Sequence, residues 1–109
     1  MKYSIFQIDG FKDSKRVKFS GYDETMEVSG KIDPEIYKNV WNSETQRTVP
    51  EKMTEFLEEL FYVFNGSDVR PPNYYGRSLS VSDVVVVDGV PYFCDSFGWR
   101  KIEAEGFAV

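Results

Sequence analysis

Residues 84–95 read VVVVDGVPYFCD. Asp88-Gly89 separates two apolar runs, and a two-residue type I′ turn needs positive φ at both positions, which Asp and Gly tolerate. Such a turn sets the register of a hairpin: Val87 opposite Val90, Val86 opposite Pro91, Val85 opposite Tyr92, Val84 opposite Phe93, and Asp83 opposite Cys94. Pro91 then falls at a non-hydrogen-bonded pair, so its missing N–H costs nothing on this ladder. On its outer side the same proline leaves a gap, which predicts an edge or a bulge there. Four consecutive valines put apolar groups on both faces of the sheet. The hairpin therefore has to be covered twice, by a helix on one side and by loops or another strand on the other.

Outward from the hairpin, the segment DSFG (Asp95–Gly98) turns the chain into a third strand at Trp99–Ile102. Upstream, Tyr3–Ile8 alternates as a strand, with Tyr3, Ile5 and Gln7 on one face and Phe6 and Ile8 on the other. Asp9-Gly10 marks a turn, and Val17 and Phe19 alternate with Lys18 and Ser20, so a short strand is expected over Arg16–Ser20. Tyr22 and Met26, between Gly21 and Gly30, suit one or two helical turns. Asp33-Pro34 breaks the chain before a strand at Ile36–Trp41. The clearest helix runs from Val49 to Phe64, where Met53, Phe56, Leu57, Leu60, Phe61 and Phe64 form one apolar stripe. Thr48 with Glu51 makes a capping box, Pro50 suits the first turn, and Asn65-Gly66 ends the helix. These elements predict an α+β fold: a twisted, mainly antiparallel sheet of four or five strands with this amphipathic helix on one face.

With 109 residues the chain forms one domain spanning residues 1–109, and 41% hydrophobic with 28% charged residues suits a folded globule. MKYSIFQIDG lacks the apolar core of a signal peptide, and no apolar run approaches the ~20 residues that cross a bilayer. One cysteine, Cys94, cannot pair internally, so a cytoplasmic protein is expected. Charge is uneven: residues 1–20 hold five Lys/Arg against two Asp, whereas residues 21–64 hold four against ten acidic side chains, within a net charge of −5. Phosphate contacts dominate nucleic-acid affinity, so a nucleic-acid partner is not expected, and the KDSKRVK patch (Lys12–Lys18) reads as a solvated loop and strand edge.

The chain has no histidine. That removes Ser-His-Asp and Cys-His catalysis and His-ligated zinc, and a single cysteine makes no Cys-rich metal site. Neither a cofactor nor a metal is expected. Asp95 beside Cys94 raises the thiol pKa, which makes a poor nucleophile and favours a small buried side chain. The segment GRSLSVSD (Gly76–Asp83) is the candidate contact site. Extended, it puts Ser78, Ser80 and Ser82 on one face, beside Arg77, where three hydroxyls and a guanidinium can receive an anion. The alternative is a polar rim in which Ser82 and Asp83 close a turn by side-chain-to-backbone bonds. The hairpin returns Asp95 to the level of the residue before Val84, which brings Tyr74, Tyr75, Arg77 and Trp99 toward one end of the sheet. Tyr, Trp and Arg anchor interfaces most often.

Phe64-Asn65, the proline loop, Tyr75, GRSLSVSDVVVV and YFCDSFGW together resemble the YodL-like family of small Firmicute proteins and domains. YSIFQI and YKNVW resemble that family's beginning and middle, so the similarity covers most of the chain. Trp99 departs from it, since the family more often has Phe after the glycine. The resemblance implies a domain often carried on mobile elements, with no established enzyme activity, cofactor or catalytic residue. The expected function is a non-catalytic interaction module that binds a protein, through Tyr74, Tyr75, Arg77, Ser78, Ser80, Ser82, Asp95 and Trp99. The alternative is a small anion- or ligand-binding protein or enzyme built on the Arg77, serine and aspartate cluster.

Overall fold

The structure is a computed structural model that describes residues 1–46, 52–66 and 69–107. Along the chain lie β1 (Lys2–Ile8), α1 (Tyr22–Ser29), a single 3-10 turn (Pro34–Ile36), β2 (Tyr37–Glu44), α2 (Met53–Phe64), β3 (Val84–Val87), β4 (Val90–Asp95) and β5 (Gly98–Lys101). The strands form one antiparallel sheet in the order β2-β1-β3-β4-β5. The expected α+β class and five-strand sheet are what the molecule has.

The hairpin has the register its turn demands, from Val87 opposite Val90 to Val84 opposite Phe93. Asp88 and Gly89 have φ of 47° and 84°, both in the left-handed region. Beyond the ladder, the Cys94 N–H donates to the Asp83 carbonyl at 2.8 Å. Pro91 sits where β5 stops: the last β4–β5 pair is Tyr92 with Lys101, and Ile102 N–H reaches the Pro91 carbonyl at 3.0 Å. A proline returns no N–H to Ile102, so the ladder ends at this point.

All four β3 valines are buried, and they serve two cores. Val85 and Val87 pack with Ile5, Phe56, Leu57, Leu60 and Phe64 beneath α2. Val84 and Val86 pack on the other face with Phe6, Ile8, Val17, Ile32, Phe93 and Phe107. The second cover is made by the loop after β1, by α1 and by the C-terminal segment. Tyr22 of α1 stands edge-on to Phe93, with ring centroids 5.9 Å apart.

Arg16–Ser20 is a looped segment rather than the expected strand. Arg16 and Phe19 have φ of 55° and 70°, which an extended strand does not allow. Asp13 explains this, because its carboxylate accepts the N–H groups of Val17 and Lys18, each at 2.9 Å. The side chain thus takes the donors that a strand neighbour would have used. The strand expected at Ile36–Trp41 starts one residue later and extends to Glu44, and it carries a bulge opposite Ile5/Phe6. The apolar stripe of α2 faces the core as expected. Asn65 N–H returns to Phe61 and Gly66 has φ of 75° at its end. The start at Val49, the Thr48–Glu51 box and Pro50 lie outside the described residues.

Leu60 is buried at the centre of the α2 contact. Replacing it with alanine is expected to cost about 2–5 kcal/mol, read from urea unfolding. A variant as stable as the parent contradicts the placement of α2 on the β1–β3 face.

Candidate functional site

Gln7 is the polar exception in β1, and it is only 1% exposed. A buried amide without partners is costly, so its neighbours have to supply them. Gln7 Nε2 donates to the Arg77 carbonyl at 2.9 Å and to Asp83 Oδ2 at 3.1 Å, and its Oε1 accepts the Arg77 N–H at 3.1 Å. The Tyr74 hydroxyl donates to the same Arg77 carbonyl at 2.7 Å. Asp83, 0% exposed, receives Arg77 Nη1 at 2.8 and 3.1 Å and the Ser80 N–H at 2.8 Å. Gly76 has no room for a side chain, since a Cβ there would collide with the Tyr74 ring and hydroxyl.

The segment is also stitched to the end of α2. Leu79 N–H donates to the Phe64 carbonyl at 3.0 Å, and the Asn65 side-chain amide donates to the Leu79 carbonyl. Phe64-Asn65 and Gly76–Asp83, distant in sequence, are one structural unit. Leu79 is completely buried in the α2-side core.

The expected site residues separate into groups. Tyr74 and Arg77 meet in the Gln7–Asp83 knot, with Tyr74 buried against Phe64 and Trp41 at centroid distances of 4.9 and 5.9 Å. Tyr75, next along the chain, turns outward and is 93% exposed. The three serines do not share a face. Ser78 Oγ accepts from Arg70 Nη2 at 3.1 Å, Ser80 Oγ donates to the Ser78 carbonyl at 3.1 Å, and buried Ser82 Oγ accepts the Phe19 N–H at 2.9 Å. Ser82 has φ of 82°, so the backbone turns where an alternating strand would run straight. Trp99 pairs with Cys94 and packs on the α2 side, at the same level of the sheet as Asp83 but on the far edge strand. Asp95 leaves the group, because its Oδ1 accepts the N–H of Tyr22 at 3.0 Å and of Ser96 at 2.8 Å at the start of α1.

Beside the knot lies an open groove of about 720 Å³. It is lined by Gln7 of β1 and Lys38 and Val40 of β2, by Tyr75, Gly76 and Arg77, and by Asp9, Phe11 and Lys18 of the segment after β1. Phe11 is fully exposed. The sequence did not single out Phe11 or Lys38, and it offered Lys18 only within the basic Lys12–Lys18 patch, because the loop after β1 and strand β2 come together only in the fold. Gln7 carried a signal, a lone amide in the apolar run YSIFQI, whose meaning depended on knowing that this strand is central.

Burial governs the titration here. It pushes the Asp83 carboxyl up to about 6 against the opposing pull of Arg77, the Ser80 N–H and Gln7. It also pushes the Tyr74 hydroxyl up to about 12 and the Cys94 thiol up to about 12, so Cys94 stays a protonated core side chain at neutral pH. Tyr37 is raised as well, by burial first and by Asp83 next, and its hydroxyl donates to the Ser82 carbonyl at 2.6 Å. Among the described residues, no group of three or more Cys, Asp or Glu is placed to hold a metal ion, and no helix is long and apolar enough to cross a membrane.

An NMR titration of the Asp83 carboxyl carbon is expected to give a midpoint near 6, above the ordinary 3.8. Because the folded value is the raised one, this group favours folding most below about pH 4, and that contribution is lost as pH rises through 6. A midpoint at or below the ordinary value would show that Arg77 and the hydrogen bonds outweigh burial.

The YodL-like domain family matches residues 2–104 of the 109. No curated protein and no solved structure matches the chain significantly. The matched residues take in all five strands, both helices and the Gln7–Arg77–Asp83 knot, and the chain belongs to the family of YodL-like domains.

Proposed function

We propose that this domain is a non-catalytic interaction module that binds another protein through the groove between Phe11 and Tyr75. The observation that carries this reading is that two almost fully exposed aromatic side chains line one groove. Exposed aromatic surface is costly in water and repays that cost when a partner covers it. Tyrosine suits such a role because it buries a large area with few rotamers to fix. The knot beneath supplies rigidity: Gly76 and Arg77 are held to Gln7, so Tyr75 is presented from a fixed backbone.

The contact surface proposed here differs from the one the sequence suggested. Arg77 acts as a support, since its charge is matched by Asp83 within the chain, and the three serine hydroxyls are engaged in bonds within the chain. An anion-binding or enzymatic site built on that cluster would have to break these bonds first. A reducing, cytoplasmic setting agrees with a lone buried cysteine, and an accessory role on a mobile element is what the family resemblance implies.

The test is a Phe11→Ala/Tyr75→Ala variant, shown to be folded by circular dichroism and immobilised beside the parent. Proteins captured from a lysate of the cells that encode it are identified by mass spectrometry. The parent is expected to hold at least one protein that the variant loses. Phe97→Ala, which removes an equally exposed ring outside the groove, is expected to keep it. Identical captures by parent and double variant would overturn the reading.

A further inference from the structure

We infer that the groove takes an acidic segment of its partner, with carboxylates placed on Lys18 and Lys38 and an apolar side chain between Phe11 and Tyr75. This rests on the reading of the groove as the contact surface and specifies its ligand chemistry. Three cations line the groove, Lys18, Lys38 and Arg77, against one carboxylate, Asp9. Asp9 Oδ1 is occupied by the Phe11 N–H at 3.0 Å, and Arg77 is occupied by Asp83 at 2.8 Å. Lys18 and Lys38 form no ion pair among the described residues. Lys18 does lie near the Phe19 ring, its Nζ 5.3 Å from the centroid, with Arg77 Cζ at 4.9 Å from the same ring. The ring thus helps to hold both cations at the groove wall.

The surroundings sharpen the case. The chain carries a net charge of −5, and the outer faces of both helices are acidic: Asp23, Glu24 and Glu27 on α1, and Glu55, Glu58 and Glu59 on α2. A positive groove attracts a negative segment, and the acidic outer faces of the helices repel it, which favours one place of encounter. A nucleic-acid strand fits this pattern less well. Two unmatched lysines neutralise about two phosphates, a small share of a polyanion's charge.

The experiment follows amide shifts in the isotopically labelled full chain on titration with three probes. One is a synthetic hexapeptide of Asp and Glu with a single central Phe, one its Asn/Gln counterpart, and one a six-nucleotide oligothymidylate. The acidic peptide is expected to shift the amides of Gly10, Lys18, Lys38 and Gly76, with affinity falling as salt is raised. The uncharged peptide is expected to bind about three- to tenfold more weakly, the worth of two exposed ion pairs. A Lys18→Glu/Lys38→Glu variant that keeps its dispersed spectrum is expected to lose the response. Equal binding of the two peptides, tighter binding of the oligothymidylate, or no shift localised to the groove would each overturn the inference. If the charge-reversed variant still captures the proteins that Phe11→Ala/Tyr75→Ala loses, the acidic ligand is wrong while the groove remains the contact surface.

Discussion

The amide of Gln7 cannot go unpaired. It sits at the sheet's interior, on a strand with neighbours on both sides, where water does not reach it. Its donors and acceptor meet the backbone of Arg77 and the carboxylate of Asp83, so a long excursion of the chain between α2 and β3 is tied to β1. Asp83 is in turn too buried to stand as a lone charge, and Arg77 supplies the cation. Each member of this knot is costly by itself and tolerable only in the presence of the others. Arg77 Nη2 is left buried without a partner, so the match is not complete. What the knot provides is position. Tyr74 turns in to pack on Trp41 and Phe64, and Tyr75 turns out over the groove.

The same constraint joins the two cores. The β3 valines feed both faces of the sheet, and just beyond them Ser82 and Asp83 divide in the same way. Ser82 meets the Phe19 N–H of the loop after β1 and the Tyr37 hydroxyl of β2, whereas Asp83 meets Arg77 and Gln7 on the α2 side. The polar residues of Gly76–Asp83 therefore work mainly as fasteners. Sheet edges are managed separately. The outer strand β2 carries a bulge, with Asn39 donating to the Ile5 and Trp41 carbonyls, and β5 is short and charged at Arg100 and Lys101. Both devices discourage uncontrolled strand pairing.

Local signals in the sequence were reliable where backbone chemistry alone decides. Asp88-Gly89 set the hairpin register, Pro91 lies where β5 stops and leaves β4 an edge, as one of its two expected readings had it, and the i, i+3, i+4 stripe located the buried face of α2. They failed where a side chain replaced the backbone as hydrogen-bond partner. Val17-Lys18-Phe19 alternates as a strand does, yet Asp13 draws its N–H groups into a loop. Ser78, Ser80 and Ser82 alternate too, yet Ser82 turns back to Phe19. Tyr74, Tyr75 and Arg77 were legible as a group, but not which of them faces inward. Lys18 was legible only as part of a basic patch and Lys38 not at all, because the two line one groove only once β1 pairs with β2 and the loop after β1 comes beside them.

Gln7 holds the 74–83 segment as firmly as a strand, although that segment has no regular secondary structure. Amide hydrogen exchange measures this directly. The N–H groups of Arg77 and Ser80, bound to Gln7 Oε1 and Asp83 Oδ2, are expected to be protected to the level of Val85 in the sheet centre. Exchange of these two amides at the rate of an open loop, while Val85 stays protected, would contradict it.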